Sequence, residues 1–200
     1  MEENSTKGKD MFRHAKWYIF GLIFAGGIVI GALAIPSAVE YTSKTEFCIS
    51  CHEMKTTVYE EYKKTIHYNN PDGVRADCSD CHIPRSWGPT LIRKIMAAKD
   101  VYHHLAGTID TPEKFEARRP EMAQRVWDSM KANNSQECRN CHQFGAMELK
   151  NQRLRAQKQH QNAMKDGSTC IDCHKGIAHK PIHEQTKKNE GAEDTFSISP

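Results

Sequence analysis

The sequence repeats the pattern Cys-x-x-Cys-His four times, as Cys48-Ile-Ser-Cys51-His52, Cys78-Ser-Asp-Cys81-His82, Cys138-Arg-Asn-Cys141-His142 and Cys170-Ile-Asp-Cys173-His174. These units contain all eight cysteines of the 200-residue chain. At this spacing two sulfurs can form thioethers with one haem, and the imidazole that follows can bind its iron. Thioredoxin-like dithiols, paired disulfides and zinc sites are alternatives, but none explains a histidine after every cysteine pair. The pattern therefore predicts four covalently bound haem c groups.

The composition supports this prediction. Only 38% of the residues are apolar, and many of these fall in the first forty positions, so the rest of the chain is too polar for a large aliphatic core. Such a chain either stays disordered or takes apolar mass from elsewhere, and haem, which is large and apolar, is a candidate source. The formal net charge of +3 is too small to indicate a phosphate-binding face, so we expect no nucleic-acid partner.

An uncharged segment near the N-terminus predicts a membrane anchor. Residues 17–39 are long and apolar enough to span a bilayer, and the basic residues within 1–16 favour a cytoplasmic N-terminus. A cleavable signal peptide is the alternative, because Ala32-Leu33-Ala34 resembles a cleavage site. The apolar run is longer than a usual signal segment. We therefore expect a single-pass anchor in a bacterial inner membrane.

The rest of the chain is predicted to form a periplasmic tetrahaem domain, residues 40–183, followed by a polar, disordered tail, residues 184–200. Eight residues separate the anchor from Cys48, a reach of no more than about 30 Å. The first haem is therefore expected near the membrane surface, where it can meet a lipid-soluble electron carrier. Gly27 and Gly31 form a GxxxG pattern, which is common in membrane spans and leaves a homo-oligomer open.

The motifs form two pairs, which suggests a duplicated two-haem unit with halves at about 48–110 and 138–183. The first cysteines are 30 residues apart in the first pair and 32 in the second. Each pair encloses one histidine at a matching place, eleven positions (His67) or ten positions (His160) before the next motif. Six-coordinate haem iron needs a second axial ligand, and imidazole is a common one. We expect both histidines to be distal ligands.

More histidines follow the second motif of each pair. His103 and His104 lie in the first half, and His179 lies five positions past His174 in the second. His183 opens the polar tail. Neighbouring residues on a helix point in different directions, so at most one of His103 and His104 should reach a given iron. The sequence leaves that choice open.

Two amphipathic helices are predicted, and no strand. The first carries an apolar stripe at helical spacing: Leu91, Ile95, Ala98, Tyr102 and Leu105. Basic residues alongside would let it lie on membrane lipid, while packing against haem is the plainer alternative. The second runs from Pro112 to Lys131, capped by Asp110 or Thr111. The expected fold is mainly α, with one N-terminal transmembrane helix and a multihaem cytochrome c domain of short helices and loops wrapped around four haems.

Four segments are distinctive beyond the haem motif: Glu46-Phe-Cys-Ile-Ser-Cys-His-Glu-Met54, His67-Tyr-Asn-Asn70, Ile109-Asp-Thr-Pro112 and Cys170-Ile-Asp-Cys-His-Lys-Gly-Ile-Ala-His179. Together they resemble the NapC/NirT family of tetrahaem quinol dehydrogenases over nearly the whole chain except the tail. The resemblance implies that menaquinol or ubiquinol is oxidised at the periplasmic membrane face. The electrons would pass to a periplasmic reductase or its small cytochrome subunit. Segment 133–142 is most similar to the NapC branch, whose partner is nitrate reductase.

The resemblance also implies roles at the first haem. Some members bind that iron through a methionine at the position of Met54, so the ligand here is His52 or Met54. In the same members an acidic residue at the position of Asp110 approaches the open haem face where quinol binds. Asp110 could accept a quinol proton there. From the sequence alone, capping a helix is the simpler role for Asp110.

The same resemblance concerns the other axial ligands. The expected proximal ligands are His82, His142 and His174. His67 and His179 resemble distal ligands that cross to haems of other motifs. A basic residue near His103 or His104 resembles the distal ligand of the second haem.

Three functions remain in competition at this point. The first is a quinol dehydrogenase that feeds nitrate reductase, and the second is the same module feeding a nitrite, TMAO or other reductase. The third is an electron wire that has no quinol site of its own. In the first two, quinol docks beside the Cys48/Cys51 haem, a proton passes to Asp110, and electrons move outward along the motifs.

Overall fold

The computed structural model describes residues 3–182, which form ten α-helices and two 3-10 turns and contain no strand. The helices are α1 (Glu3–Tyr41), α2 (Thr45–Cys48), α3 (His52–Thr56), α4 (Val58–Tyr62), α5 (Cys78–His82), α6 (Trp87–Leu105), α7 (Pro112–Ala132), α8 (Gln136–Arg139), α9 (Leu154–Asp166) and α10 (Cys170–Cys173). The 3-10 turns are Phe144–Ala146 and Leu149–Asn151. The prediction of a mainly α fold is confirmed. The predicted disordered tail and His183 lie outside the described residues.

Helix α1 carries the apolar segment that the sequence predicted as an anchor. Its part Lys16–Tyr41 has a mean hydropathy of 2.4 over its most apolar stretch. Those 26 residues span about 39 Å at 1.5 Å per residue, which exceeds the roughly 30 Å of a bilayer's hydrocarbon core. Large apolar side chains along it are exposed, such as Trp17 and Leu22. Length and composition therefore suit one membrane crossing, and the chain from Ser43 onward forms a separate compact unit.

Helix α7 organises this second unit. It contacts α3 and α10, which carry parts of the first and last haem motifs. It begins where the sequence predicted, because the Thr111 hydroxyl accepts a hydrogen bond from the Lys114 backbone N–H and Pro112 occupies the first turn. Of the two predicted caps, Thr111 is therefore the one used. The Asp110 side chain is left to make other contacts.

Helix α6 matches the predicted first amphipathic helix and extends it at its N-terminal end to Trp87. Members of its apolar stripe are exposed within the described part of the chain: Ile95, Tyr102 and Leu105 are each at least 66% exposed, and Leu91 is 37% exposed. The stripe is thus available to lipid or to haem. The two predicted roles of this helix both remain predictions.

The polypeptide itself provides little apolar core. Among the described residues only Tyr62, Phe115 and Ile171 are buried apolar side chains. Several buried side chains are polar or charged, including Glu53 and Arg119. This agrees with the inference from composition that the chain does not build a large aliphatic core by itself.

Candidate haem-binding and redox site

Neighbouring motifs lie beside one another in the order of the sequence. Helix α2, which ends at Cys48, contacts α5, which is the second motif, and α5 contacts α8, which carries Cys138. Cys138 in turn lies close to Cys170 of the fourth motif. All eight cysteines are described and none forms a disulfide, so the structure does not support the paired-disulfide alternative. Attachment points that follow one another in this way suit groups that exchange electrons with their neighbours.

Short helices present the cysteine pairs. The second motif is the whole of α5, and the first four residues of the fourth motif are the whole of α10. Residues three apart lie on one helix face, so both sulfurs of such a pair can reach one planar group. Each of these helices begins with a capping box, formed by Asp77 with Asp80 and by Thr169 with Asp172. The boxes occupy equivalent positions, which gives the sequence duplication a structural counterpart.

A second duplicated feature joins the two motifs of each pair. Thr45 lies three residues before Cys48, and its hydroxyl donates to Asp77 Oδ1 at 2.8 Å. Ser135 lies three residues before Cys138, and its hydroxyl accepts from the Ile171 backbone N–H at 3.2 Å. Each hydroxyl therefore ties the start of one motif to the start of the next. Aligning the two halves could have revealed this pair, but single-motif reasoning missed it.

The histidines pair across the site, one motif histidine with one candidate distal histidine in each case. The ring-centroid distances are 5.9 Å for His52–His104, 6.2 Å for His82–His179, 6.1 Å for His67–His142 and 5.9 Å for His160–His174. An imidazole nitrogen lies about 2 Å from a bound metal. Two rings on opposite faces of one metal would therefore have centroids about 6 Å apart. The pairs fit this spacing and thus the axial positions of haem iron.

Burial keeps several of these imidazoles in the neutral form that binds metal. Burial lowers the pKa of His82 to about 4, with a smaller effect from His179. It also lowers the pKa of His67 and of His179. Nδ1 of His67 and Nδ1 of His179 are buried without a hydrogen-bond partner in the described part of the chain. Unpartnered buried nitrogens of this kind are uncommon, which suits residues that hold a further group.

Two of the pairs cross between the halves. His67 comes from the first half and lies opposite His142, while His179 comes from the second half and lies opposite His82. His160 stays in its own half and faces His174. The matched spacing of His67 and His160 in the sequence therefore does not give them matched partners.

His103 and His104 separate clearly. The His104 Nδ1 lies 2.5 Å from Glu53 Oε1, on the side of the first motif and not beside His82. The His103 Nδ1 instead lies 2.8 Å from Thr108 Oγ1, and it also contacts the guanidinium of Arg118. The structure thus brings His104, and not His103, to a motif histidine. The resemblance associates this position with the distal ligand of the second haem, whereas the structure places His104 beside His52 of the first motif.

The first motif differs from the others in its histidine. His52 Nε2 lies 2.7 Å from the backbone carbonyl of Asp110. A nitrogen that donates to a carbonyl carries its proton and cannot bind iron at the same time. Glu53, 97% buried, lies between His52 and His104 with oxygens 3.7 Å and 2.5 Å from their Nδ1 atoms. Burial would raise the pKa of Glu53, but the His104 hydrogen bond lowers it, so this carboxylate can orient the imidazole.

Asp110 is paired with a lysine at the edge of this site. Lys114 Nζ lies 2.7 Å from Asp110 Oδ1 and donates to the Gly107 carbonyl at 2.8 Å. The lysine lowers the pKa of the Asp110 carboxyl. Gly107 has φ +64°, and a Cβ there would lie 3.3 Å from Asp110 Oδ2. The loop thus presents an ionised, partly exposed carboxylate next to the first motif.

The zinc alternative finds little support in this geometry. Among the described residues, one set of at least three His, Cys, Asp or Glu side chains has ligand atoms within 4.8 Å of one another: Cys51, Glu53 and His104. It contains one sulfur, whereas a structural zinc site built from Cys-x-x-Cys units would gather two cysteine pairs.

Comparison with known proteins gives a consistent result. The family model described as "NapC/NirT cytochrome c family, N-terminal region" matches residues 12–184. Cytochrome c-type protein NapC of Escherichia coli (strain K12) is 54% identical over 163 residues, which are 82% of this chain and 78% of that protein. Denitrification system component NirT of Stutzerimonas stutzeri is 49% identical over 176 residues, 86% of this chain and 88% of that protein. Cytochrome c-type protein TorC of Escherichia coli (strain K12) is 50% identical over 170 residues, 83% of this chain but 43% of that protein.

Proposed function

The chain belongs to the NapC/NirT cytochrome c family, and on that premise we propose that it is a membrane-anchored tetrahaem cytochrome c that oxidises quinol and passes the electrons to a periplasmic reductase. The observation that carries this proposal is the set of three histidine pairs at 5.9–6.2 Å, His82–His179, His67–His142 and His160–His174. They stand beside four Cys-x-x-Cys-His motifs that contact in sequence order. A reductase fed from the membrane needs such a relay.

The haem ligands follow from these pairs. The eight motif cysteines would attach four haem c groups, and three of the pairs would hold their irons: His82 with His179, His142 with His67, and His174 with His160. Each haem, when bound, takes up one electron at a time, so four in a row can separate the two electrons of a quinol. The protein contributes the axial ligands, their burial and their orientation.

At the first haem we assign the ligands Met54 and His104, with Glu53 orienting His104 through its Nδ1. The contact between His52 Nε2 and the Asp110 carbonyl supports this assignment over His52, because that nitrogen is already engaged. The side chain of Met54 is 38% exposed and therefore free to turn. His52 then serves to fix the loop that carries Asp110.

The quinol site lies beside the first haem. Quinol oxidation releases two protons together with two electrons. The Asp110 carboxylate accepts one of these protons and solvent water accepts the other, while Lys114 keeps the carboxylate ionised and ready to accept its proton. The short linker between the apolar helix and Cys48 keeps this site within about 30 Å of the membrane, in reach of a lipid-soluble quinol. The domain lies on the periplasmic side of a bacterial inner membrane, with residues 1–16 in the cytoplasm.

The terminal acceptor is proposed to be nitrate reductase or its small cytochrome subunit. The relative named NapC is 54% identical, against 50% and 49% for those named TorC and NirT. This margin is narrow, so a reductase for TMAO or nitrite is the second candidate. Reduced protein should be reoxidised faster by periplasmic nitrate reductase with nitrate than by a TMAO reductase with its substrate, and the opposite order would favour the second candidate.

Quinol oxidation is tested with the haem-loaded protein in mild detergent. A menaquinol analogue is added anaerobically, and the haem α-band is followed in time. We expect rapid reduction in the wild type and strongly slowed reduction in Asp110→Asn. Glu121→Gln is the matched control and should behave as wild type, because Glu121 is an exposed carboxylate on α7 that pairs with Arg125 at 3.9 Å.

Two results would contradict the proposal. If dithionite reduces the haems but menaquinol and ubiquinol analogues do not, the protein is an electron wire loaded by another subunit. If quinol reduces Asp110→Asn as fast as the wild type, the quinol site is elsewhere.

A further inference from the structure

The last two residues of α4, Glu61 and Tyr62, each contact the backbone at or next to a histidine that faces a motif of the other half. Glu61 contacts the residue after His179, and Tyr62 contacts His67. Glu61 is 9% exposed in its side chain and forms a two-pronged ion pair with Arg119 of α7, which is 6% exposed. Arg119 Nη1 and Nη2 each donate to one Glu61 oxygen at 2.9 Å. Such fork-to-carboxylate pairs fix orientation as well as distance. The Glu61 carboxylate is therefore held rigidly by the longest helix of the haem domain.

The carboxylate has two further contacts, both with Lys180: a longer one with the exposed Nζ at 3.8 Å, and a closer one with the backbone. Glu61 Oε2 accepts a hydrogen bond from the Lys180 backbone N–H at 3.0 Å, although the two residues are 119 positions apart. Lys180 directly follows His179, whose ring lies opposite His82. The buried Glu61–Arg119 ion pair is therefore hydrogen-bonded, through Glu61, to the backbone of the residue that follows the candidate distal ligand His179.

The neighbouring side chain has the same relation to the other crossing histidine. The Tyr62 hydroxyl donates to the His67 carbonyl at 3.0 Å, and it also contacts the Ala76 carbonyl. His67 lies opposite His142. Tyr62 is itself buried, with 8% of its surface exposed. Two adjacent residues therefore hold the backbone at the two places where a histidine of one half faces a motif of the other.

Loops carry both histidines, so helical structure does not position them. His67 lies in turns between α4 and α5, and His179 lies after α10. Axial ligands on loops depend on neighbouring hydrogen bonds for their geometry. An ion pair this deeply buried is weak evidence for stability, because an apolar pair often serves as well. The carboxylate of this ion pair also accepts a hydrogen bond from the backbone N–H of Lys180, which is distant in sequence. An apolar pair could not do this.

We propose that Glu61 and Tyr62 are positioning residues for haem ligation: Glu61, anchored by Arg119, keeps His179 opposite His82, and Tyr62 keeps His67 opposite His142. The inference rests on the proposed function only in taking these histidines as axial ligands. It adds that one short helix controls both ligands that cross between the halves. Loss of either contact frees one axial position without touching a ligand.

The test counts open haems by carbon monoxide binding to the dithionite-reduced, haem-loaded protein in detergent. His179→Ala is the reference and should bind about one more equivalent of carbon monoxide than wild type. Glu61→Leu, which removes the acceptor, should gain carbon monoxide binding toward that value. Glu61→Gln keeps an acceptor oxygen and should remain near wild type. Glu60→Leu, next to it but paired on the surface with Lys63 at 2.8 Å, is the matched control and should not change.

Tyr62→Phe provides a second arm that removes a single oxygen and should fold. Its reference is His67→Ala, and we expect Tyr62→Phe to open the same haem in part, with a lowered content of low-spin haem by magnetic circular dichroism. If both Glu61→Leu and Tyr62→Phe bind carbon monoxide as wild type does, the inference is wrong even if their thermal midpoints fall. If the two histidine references add no carbon monoxide, the ligand assignment itself is wrong, and that failure is visible separately from quinol reduction.

Discussion

Replacing Arg119 by leucine should destabilise the haem domain because it leaves the buried Glu61 carboxylate without its main partner. Breaking a buried ion pair by removing one member costs about 3–5 kcal/mol. Two parallel hydrogen bonds of 2.9 Å are lost, while Glu116, 37% exposed, can turn to solvent at little cost. Lys180 Nζ remains 3.8 Å from Glu61 and is 62% exposed, so it offsets a small part of the stabilisation that the Glu61 carboxylate loses. We therefore expect an effect near the lower end, about 3 kcal/mol.

The double variant distinguishes an unpaired charge from a lost contact. Glu61→Leu leaves Arg119 paired with Glu116 through bonds of 2.8 and 2.6 Å, so it should destabilise less than Arg119→Leu. Removing both side chains as Glu61→Leu/Arg119→Leu leaves no buried charge at either position, and it should recover much of the loss.

Apparent thermal midpoints of the haem-loaded proteins, followed by far-UV circular dichroism at one scan rate, measure this order. Covalent haems make a two-state free energy unsuitable, so the ranking of midpoints is the observable. The expected ranking is wild type, then the double variant and Glu61→Leu, with Arg119→Leu lowest. An Arg119→Leu midpoint equal to wild type, or a double variant below Arg119→Leu, would refute the reasoning.

Three further predictions concern the loops and caps around the site. Thr111→Ala should lose about 1 kcal/mol of helix-cap stabilisation, seen as a lower thermal midpoint with an unchanged rate of quinol reduction; a slowed rate would assign Thr111 to the quinol site. Gly176→Ala should shift the loop that carries His179, because Gly176 has φ +74° and a Cβ there would lie 2.9 Å from Pro181 Cγ. The shift should increase carbon monoxide binding, and binding equal to wild type would contradict this prediction. Lys114→Met should raise the pKa of Asp110, since Lys114 lowers it. The proton-accepting carboxylate would then be lost at a higher pH as the solution is acidified, so the acid limb of quinol reduction moves upward; an unmoved limb would contradict the base role.

The sequence predicted the fold class and the three longest helices because those depend on local chemistry. An apolar run of sufficient length predicts a span, and the structure places Lys16–Tyr41 in one helix. Apolar periodicity with Pro112 at the start predicted the helix that the structure shows as Pro112–Ala132. The family, too, was recognisable from short motifs, as the match over residues 12–184 confirms. None of these features needs a distant part of the chain.

The four Cys-x-x-Cys-His motifs by themselves predicted the haem attachments. Each motif is five consecutive residues, and its spacing alone lets two sulfurs reach one haem. Only the tertiary structure decides which distal histidine faces which motif. His67 and His160 stand at matching places in the sequence, yet one faces His142 across the halves and the other faces His174 in its own half. Likewise the contact between Glu61 and Lys180 joins residues 119 positions apart. Such pairings depend on where each loop lies after the whole chain has packed. A local pattern of side chains does not determine which residues from distant parts of the chain then come into contact.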